Sequence, residues 1–153
     1  MKSNEFCVWA VSDPISQAQA EETLRRSIPS FDRHRAASQI ELLSGTEWYL
    51  DGQNFDVQRI TGGWNEKLKA ALAPGRGGTR VSGNAFWKAT KHWKEFCDYE
   101  HELDLFLAGQ NMIVLRTYSL HATRTVDLLD VARAHQCSIV RRNRNWKFLE
   151  TPN

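Results

Sequence analysis

The run Phe6-Cys7-Val8-Trp9-Ala10-Val11 is apolar at every position and stops at Ser12-Asp13-Pro14. A strand without polar alternation is one buried on both faces, which is how strands of a helix-covered parallel sheet read. Ser16 and Gln19 follow at capping-box spacing and start a helix that carries Ala20, Leu24 and Ile28 on one face until Pro29 ends it. This β-α opening sets the expectation for the rest of the chain.

The expectation repeats downstream. Gln39 to Leu43 is a second short strand, and Ser44 to Asn54 is a polar loop that nevertheless holds Trp48, Tyr49 and Leu50. A helix from Asp56 places Ile60, Trp64, Leu68 and Leu72 at four-residue spacing and stops at Pro74. Thr79-Arg80-Val81-Ser82 is a third strand, and the helix from about Lys91 to Leu107 has Trp93, Phe96, Leu103 and Leu107 on its seam, with Glu100 among them. Met112 to Tyr118 is the most apolar strand, interrupted by Arg116, and Thr125 to Ala134 is an amphipathic helix through Val126 and Leu129. Cys137 to Val140 and Trp146 to Leu149 alternate around Asn143-Arg144-Asn145 as a hairpin. Alternating strands and helices define a three-layer α/β domain with a mostly parallel sheet and a C-terminal antiparallel hairpin at its edge. At 153 residues the chain is one such domain, residues 1–153.

Gly75, Gly77 and Gly78 suggest a phosphate loop, but they join a helix to a strand. Phosphate loops run from strand to helix, because the anion sits on the helix N-terminus. No Gly-Lys-Ser/Thr occurs, and these glycines read as a hinge after Pro74. A net charge of +2 gives no electrostatic case for direct nucleic-acid binding, and Arg141-Arg142-Asn143-Arg144 reads as a solvated hairpin tip. Cys7, Cys97 and Cys137 are too far apart for a zinc spacing and read as reduced, buried thiols; the five histidines show no ligand spacing either. No metal or other cofactor is expected. No apolar run is long enough to span a bilayer and no secretory leader is visible, so a cytoplasmic location without membrane contact is expected.

In an open parallel sheet, ligands meet the carboxyl ends of the strands. The candidates there are Trp48, Tyr49, Ser82, Asn84, Trp87, Tyr118 and Ser119, a set of rings, hydroxyls and one amide suited to binding and lacking a hydrolytic constellation. Ser119 and His121 have no nucleophile elbow around them, so a triad is disfavoured. Trp9, Trp64 and Trp93 read as core. Glu100 on an apolar seam must be paired, with Arg80 and Arg116 as the available partners, and a structural ion pair outweighs a ligand-binding role.

The segments NEFCVWAVSDP, GTEWYLDGQNFD, GGWNEKLKAAL, TRVSGNAFW, HWKEFCDYE and NMIVLRTYSL, with RAHQ before the basic hairpin, together resemble the MEDS domain, the methanogen/methylotroph sensory domain known from a dichloromethane-responsive regulator and from sensor histidine kinases. The positions that match its recurrent motifs are Trp48, Tyr49, Trp64, Arg80, Ser82, Gly83, Trp87, Trp93, Tyr99, Glu100, Tyr118, Ser119 and His135. The resemblance implies a RecA/KaiC-related fold used to sense small molecules, proposed to be hydrocarbon derivatives, with a histidine kinase or transcription regulator as partner. It also implies a strand and helix ahead of NEFCVW, so the chain is expected to be an N-terminally shortened form with a gap in its sheet. A homodimer through the exposed edge is one consequence of such a gap. A degenerate RecA-type ATPase and a ligand-free interaction module are the alternative functions.

Overall fold

The computed structural model describes residues 4–52, 54–84, 93–118, 125–135 and 137–150. Its centre is a parallel sheet of four strands, β1 (Phe6–Val11), β2 (Ile40–Ser44), β3 (Thr79–Asn84) and β4 (Met112–Thr117), in the order β2-β1-β3-β4. The apolar run at the N-terminus is thus an inner strand, paired on both sides. Among the described residues the gap expected in the sheet is not seen, since the four strands pair in continuous order with β2 on one flank of β1 and β3 on the other.

Helix α1 (Gln17–Ser27) starts at the capping box, where Ser16 Oγ accepts from the Gln19 N–H and Gln19 Oε1 accepts from the Ser16 N–H. It and the short α2 (Phe31–Ala36) pack beside β2, anchored by buried Ala20 and Phe31. The stretch expected as a polar loop after β2 contains a one-turn helix, α3 (Gly45–Tyr49), capped by Ser44 Oγ. Asp56 caps α4 (Val57–Leu72), which buries Ile60, Trp64, Leu68 and Ala71. The glycine loop follows it and leads into β3, with Gly75 at φ 80° and Gly78 at φ 154°. Gly78 has no room for a side chain, since a Cβ there would lie 2.3 Å from the Asn111 carbonyl oxygen.

Helix α5 (Trp93–Leu107) buries Phe96, Tyr99, Glu100 and Leu103 at i, i+3, i+4 and i+7. Helix α6 (Thr125–Ala134) packs on α5 with a different face from the one expected: Asp127 and Val131 are buried, while Val126 and Leu129 are 59% and 53% exposed. The C-terminal hairpin, β5 (Cys137–Arg142) and β6 (Asn145–Glu150), turns through Asn143 and Arg144, both at positive φ as a two-residue hairpin turn requires. It is a separate two-stranded sheet and does not extend the main one.

Alternation along the strands gives the main sheet an inner and an outer face. Phe6, Val8, Ala10, Val81, Met112 and Val114 join one cluster with Trp64, Leu68, Phe96, Tyr99 and Leu103 of α4 and α5. The opposite face carries the rows Cys7–Arg80–Ile113 and Trp9–Ser82–Leu115, where Ile113 and Leu115 are 54% and 50% exposed. Trp9, expected in the core, is half-buried on this outer face, and Cys137, expected buried, is exposed.

Candidate functional site

Alternation puts Arg116 on the inner face of β4, so a cationic side chain enters the helix-covered core with only 3% of its surface exposed. What it meets there explains how it is tolerated. Its Nη1 donates to the Tyr49 hydroxyl and its Nη2 to the Tyr99 hydroxyl, and the two rings flank the guanidinium with centroids 5.1 and 5.2 Å from Cζ. Trp64 Nε1 also donates to the Tyr99 hydroxyl, at 2.9 Å. Arg116 Nε lies 3.2 Å from Glu100 Oε1, a buried ion pair between β4 and α5. Neither of those two atoms has hydrogen-bond geometry, so their attraction is purely one of charge.

Gly83 on β3 makes the room. A Cβ there would stand 3.0 Å from Arg116 Nη1 and 3.1 Å from the Tyr49 hydroxyl, tighter than most side-chain contacts. The cluster continues outward from Glu100. Glu100 Oε2 is 3.7 Å from His135 Nε2, and that nitrogen is 3.3 Å from the Tyr118 hydroxyl. Tyr118 is half-buried against Phe96 and the His135 side chain is 23% exposed, so this end lies closest to solvent.

Burial disfavours the ionised form of each phenol and raises the pKa of Tyr49, while Tyr99 and Tyr118 are raised well above the usual range. Burial is the largest single influence on the Arg116 pKa and lowers it, but Glu100, Tyr49, Tyr99 and Tyr118 together outweigh it, hold the pKa well above its usual value and keep the guanidinium charged. The arrangement is one fixed cation and one carboxylate, ringed by neutral hydroxyls. Removing either charge leaves the other buried without its counter-ion.

The other candidates take varied positions. Asn84 is buried and fully engaged: Oδ1 accepts from the Ser12 N–H at 3.1 Å, and Nδ2 donates to the carbonyls of Ser12 at 2.9 Å and Asp13 at 3.0 Å. It ties the carboxyl ends of β1 and β3 together. Tyr49, with its hydroxyl turned to Arg116, is 1% exposed. Trp48 leans on α4, its ring 4.5 Å from that of Trp64, and Gly63 is small because a Cβ there would be 2.8 Å from Trp48 Cη2. Ser82 faces the outer side beside Trp9 and Leu115. Trp87 and Ser119 lie outside the described residues. Arg80 is not a partner of Glu100: it points to the outer face and its Nε lies 2.6 Å from Glu5 Oε2, with the sheet between it and α5.

The sequence places Trp64 in the core and offers Tyr99 and His135 only as positions that match the recurrent motifs, without a role; all three are polar members of the cluster. The signal for Tyr99 was available, since it directly precedes Glu100 on the buried seam of α5. A second feature escaped notice, a half-open cavity of about 360 Å³ at the opposite end of the sheet. It is lined by Phe6, Ile40, Ala71 and Arg76 among others, next to the glycine loop. Among the described residues no group of three His, Cys, Asp or Glu side chains is placed to hold a metal, and no helix is long and apolar enough to cross a membrane.

Fold and site together define a parallel-sheet α/β domain with a charged pair sealed in its core. The chain belongs to the MEDS family, the MEthanogen/methylotroph, DcmR Sensory domain, whose family model matches residues 1–136. The searches of curated proteins and of solved structures return no match to this chain.

Proposed function

We propose that the chain is the sensing element of a cytoplasmic signalling system. It binds a small apolar or C1/hydrocarbon-derived molecule, catalyses no reaction, and passes the signal to a histidine kinase or transcription regulator. Membership of a sensory-domain family supports the general role. The observation that carries the specific reading is the graded polar chain from half-buried Tyr118 and His135, through Glu100, to Arg116 in the core. A ligand that displaces Tyr118 from His135 changes how Glu100 is held, and through Arg116 it reaches β4, α5 and α3 at once. Such a ligand shifts a population only by binding two arrangements differently, and the facing atoms of the charge pair have no hydrogen bond that would hold them to one.

The test is intrinsic fluorescence and thermal-shift titration against halogenated methanes, methanol and short hydrocarbons. A saturable response in the wild type, lost in Tyr118→Ala and retained in Ala71→Trp, is the expected result. Loss in Ala71→Trp with retention in Tyr118→Ala would place the ligand in the cavity near Arg76 instead, and silence across the panel would remove the ligand-binding reading.

A further inference from the structure

Among the described residues, two β-elements combine an unpaired edge with exposed apolar side chains. β4 is one of the two outer strands of the main sheet, with Ile113 and Leu115 half-exposed on a face that no described helix covers. The hairpin pairs only with itself. Its register puts Ile139 opposite Phe148 and Arg141 opposite Trp146, so Ile139, Phe148 and Trp146 share one face, and they are 53%, 61% and 67% exposed. Val140 and Leu149 on the other face are 43% and 50% exposed. A lone two-stranded ribbon is marginal in water, and an apolar edge strand left open invites pairing.

The two elements fit each other. β4, β5 and β6 are each six residues long, and period-two alternation allows the Ile139–Phe148–Trp146 face to continue the Ile113–Leu115 face across a shared edge. Charge favours the same pairing. Arg141, Arg142, Arg144 and Lys147 less Glu150 make the hairpin +3, while the whole chain is +2, so the remainder is −1. Hairpins repel each other and are drawn to bodies. Within one chain the hairpin and β4 form separate sheets, and two residues, 135 and 136, join the hairpin to α6.

The geometry points to a second copy of this chain as the occupant: the hairpin of each protomer adds to the β4 edge of the other, giving a two-fold dimer by reciprocal arm exchange. The hairpin directly follows the family match at residue 136 and serves as the dimerisation arm. Its apolar residues lie on both faces and Arg141 already covers the Trp146 ring at 5.7 Å, which suits a protein partner better than stacked bases.

Sedimentation velocity on the full chain tests this. The wild type is expected to be dimeric at micromolar concentration, and Trp146→Ser/Phe148→Ser and Leu115→Lys are each expected to be monomeric with unchanged far-UV circular dichroism. An equimolar mixture of the two variants retains one intact arm and one intact edge, so it should recover a heterodimer at least about tenfold weaker than the wild-type dimer. For a readout independent of those substitutions, Leu115→Cys mixed with Phe148→Cys should form an intermolecular disulfide. A monomeric wild type, a dimer unaffected by both variants, or a monomer whose hairpin binds single-stranded oligonucleotides would each overturn the proposal.

Discussion

The inner and outer faces of the same sheet are built to opposite rules. The inner face carries Arg116 and Gly83 among apolar residues, and every large group there is fixed by another: guanidinium by two phenols and a carboxylate, glycine by the guanidinium. The outer face carries Arg80, Ser82, Ile113 and Leu115, half-exposed or more except for Ser82, and its arginine makes a surface pair with Glu5. An arginine one strand away is therefore worth very different amounts. Exposed ion pairs contribute about 0–1 kcal/mol, whereas breaking a buried one costs about 3–5 kcal/mol because a charge is left uncompensated.

The sharpest way to break this contrast is Glu100→Gln. It keeps the shape and removes the charge facing Arg116, so urea unfolding should show a loss of about 3 kcal/mol or more, against a much smaller loss for Glu5→Gln at the exposed Arg80 pair. The double variant Glu100→Leu/Arg116→Met should recover much of that loss, since both buried charges go together. Equal effects of Glu100→Gln and Glu5→Gln would end the distinction between the faces.

Next in size is Asn84→Ala. Three hydrogen bonds disappear and the Ser12 N–H and the carbonyls of Ser12 and Asp13 lose their partner where β1 and β3 end, for about 2 kcal/mol. Tyr99→Phe follows at about 1 kcal/mol, since Trp64 Nε1 and Arg116 Nη2 both lose an acceptor. Tyr99 also gives a pH signature. Its pKa is raised in the folded chain, mainly by burial, so the folded state favours the protonated phenol. That contribution is complete below the ordinary phenol pKa of about 10 and is lost as pH rises above it toward the folded-state pKa. Denaturation followed from pH 9 upward should show stability falling with a shallower slope in Tyr99→Phe than in the wild type.

What the residues disclosed, and what they withheld, follows the same division. Elements whose period is long enough to read were legible: the unbroken apolar β1, the capping box of α1, the four-residue spacing of α4, the turn of the hairpin. Helices α2 and α3 were not, because at six and five residues they hold no full amphipathic period and depend on anchors such as Phe31 and Tyr49 that only the tertiary fold supplies. The pairing of Glu100 was legible to within two arginines. Choosing between them needed the inward face of each strand, and Met112–Thr117 is apolar at both parities up to Arg116, so its alternation carries no direction. The inner face of α6 failed for a related reason: Val126 and Leu129 define an apolar stripe, yet packing on α5 buries Asp127 and Val131.

The smallest effect belongs to the outer face and is the most informative about it. Leu115→Gln replaces a half-exposed side chain on an uncovered strand, so in dilute solution the unfolding free energy should change by less than about 0.5 kcal/mol. If a second copy's hairpin covers this strand, the same substitution acquires a cost that grows with protein concentration, because association stabilises the folded state by mass action and the variant associates less. The wild-type melting temperature should then rise with concentration while that of Leu115→Gln rises less. A difference between the two proteins that stays constant from nanomolar to micromolar concentration would mean that Leu115 acts within one chain, and the outer face would then be bare in solution as well.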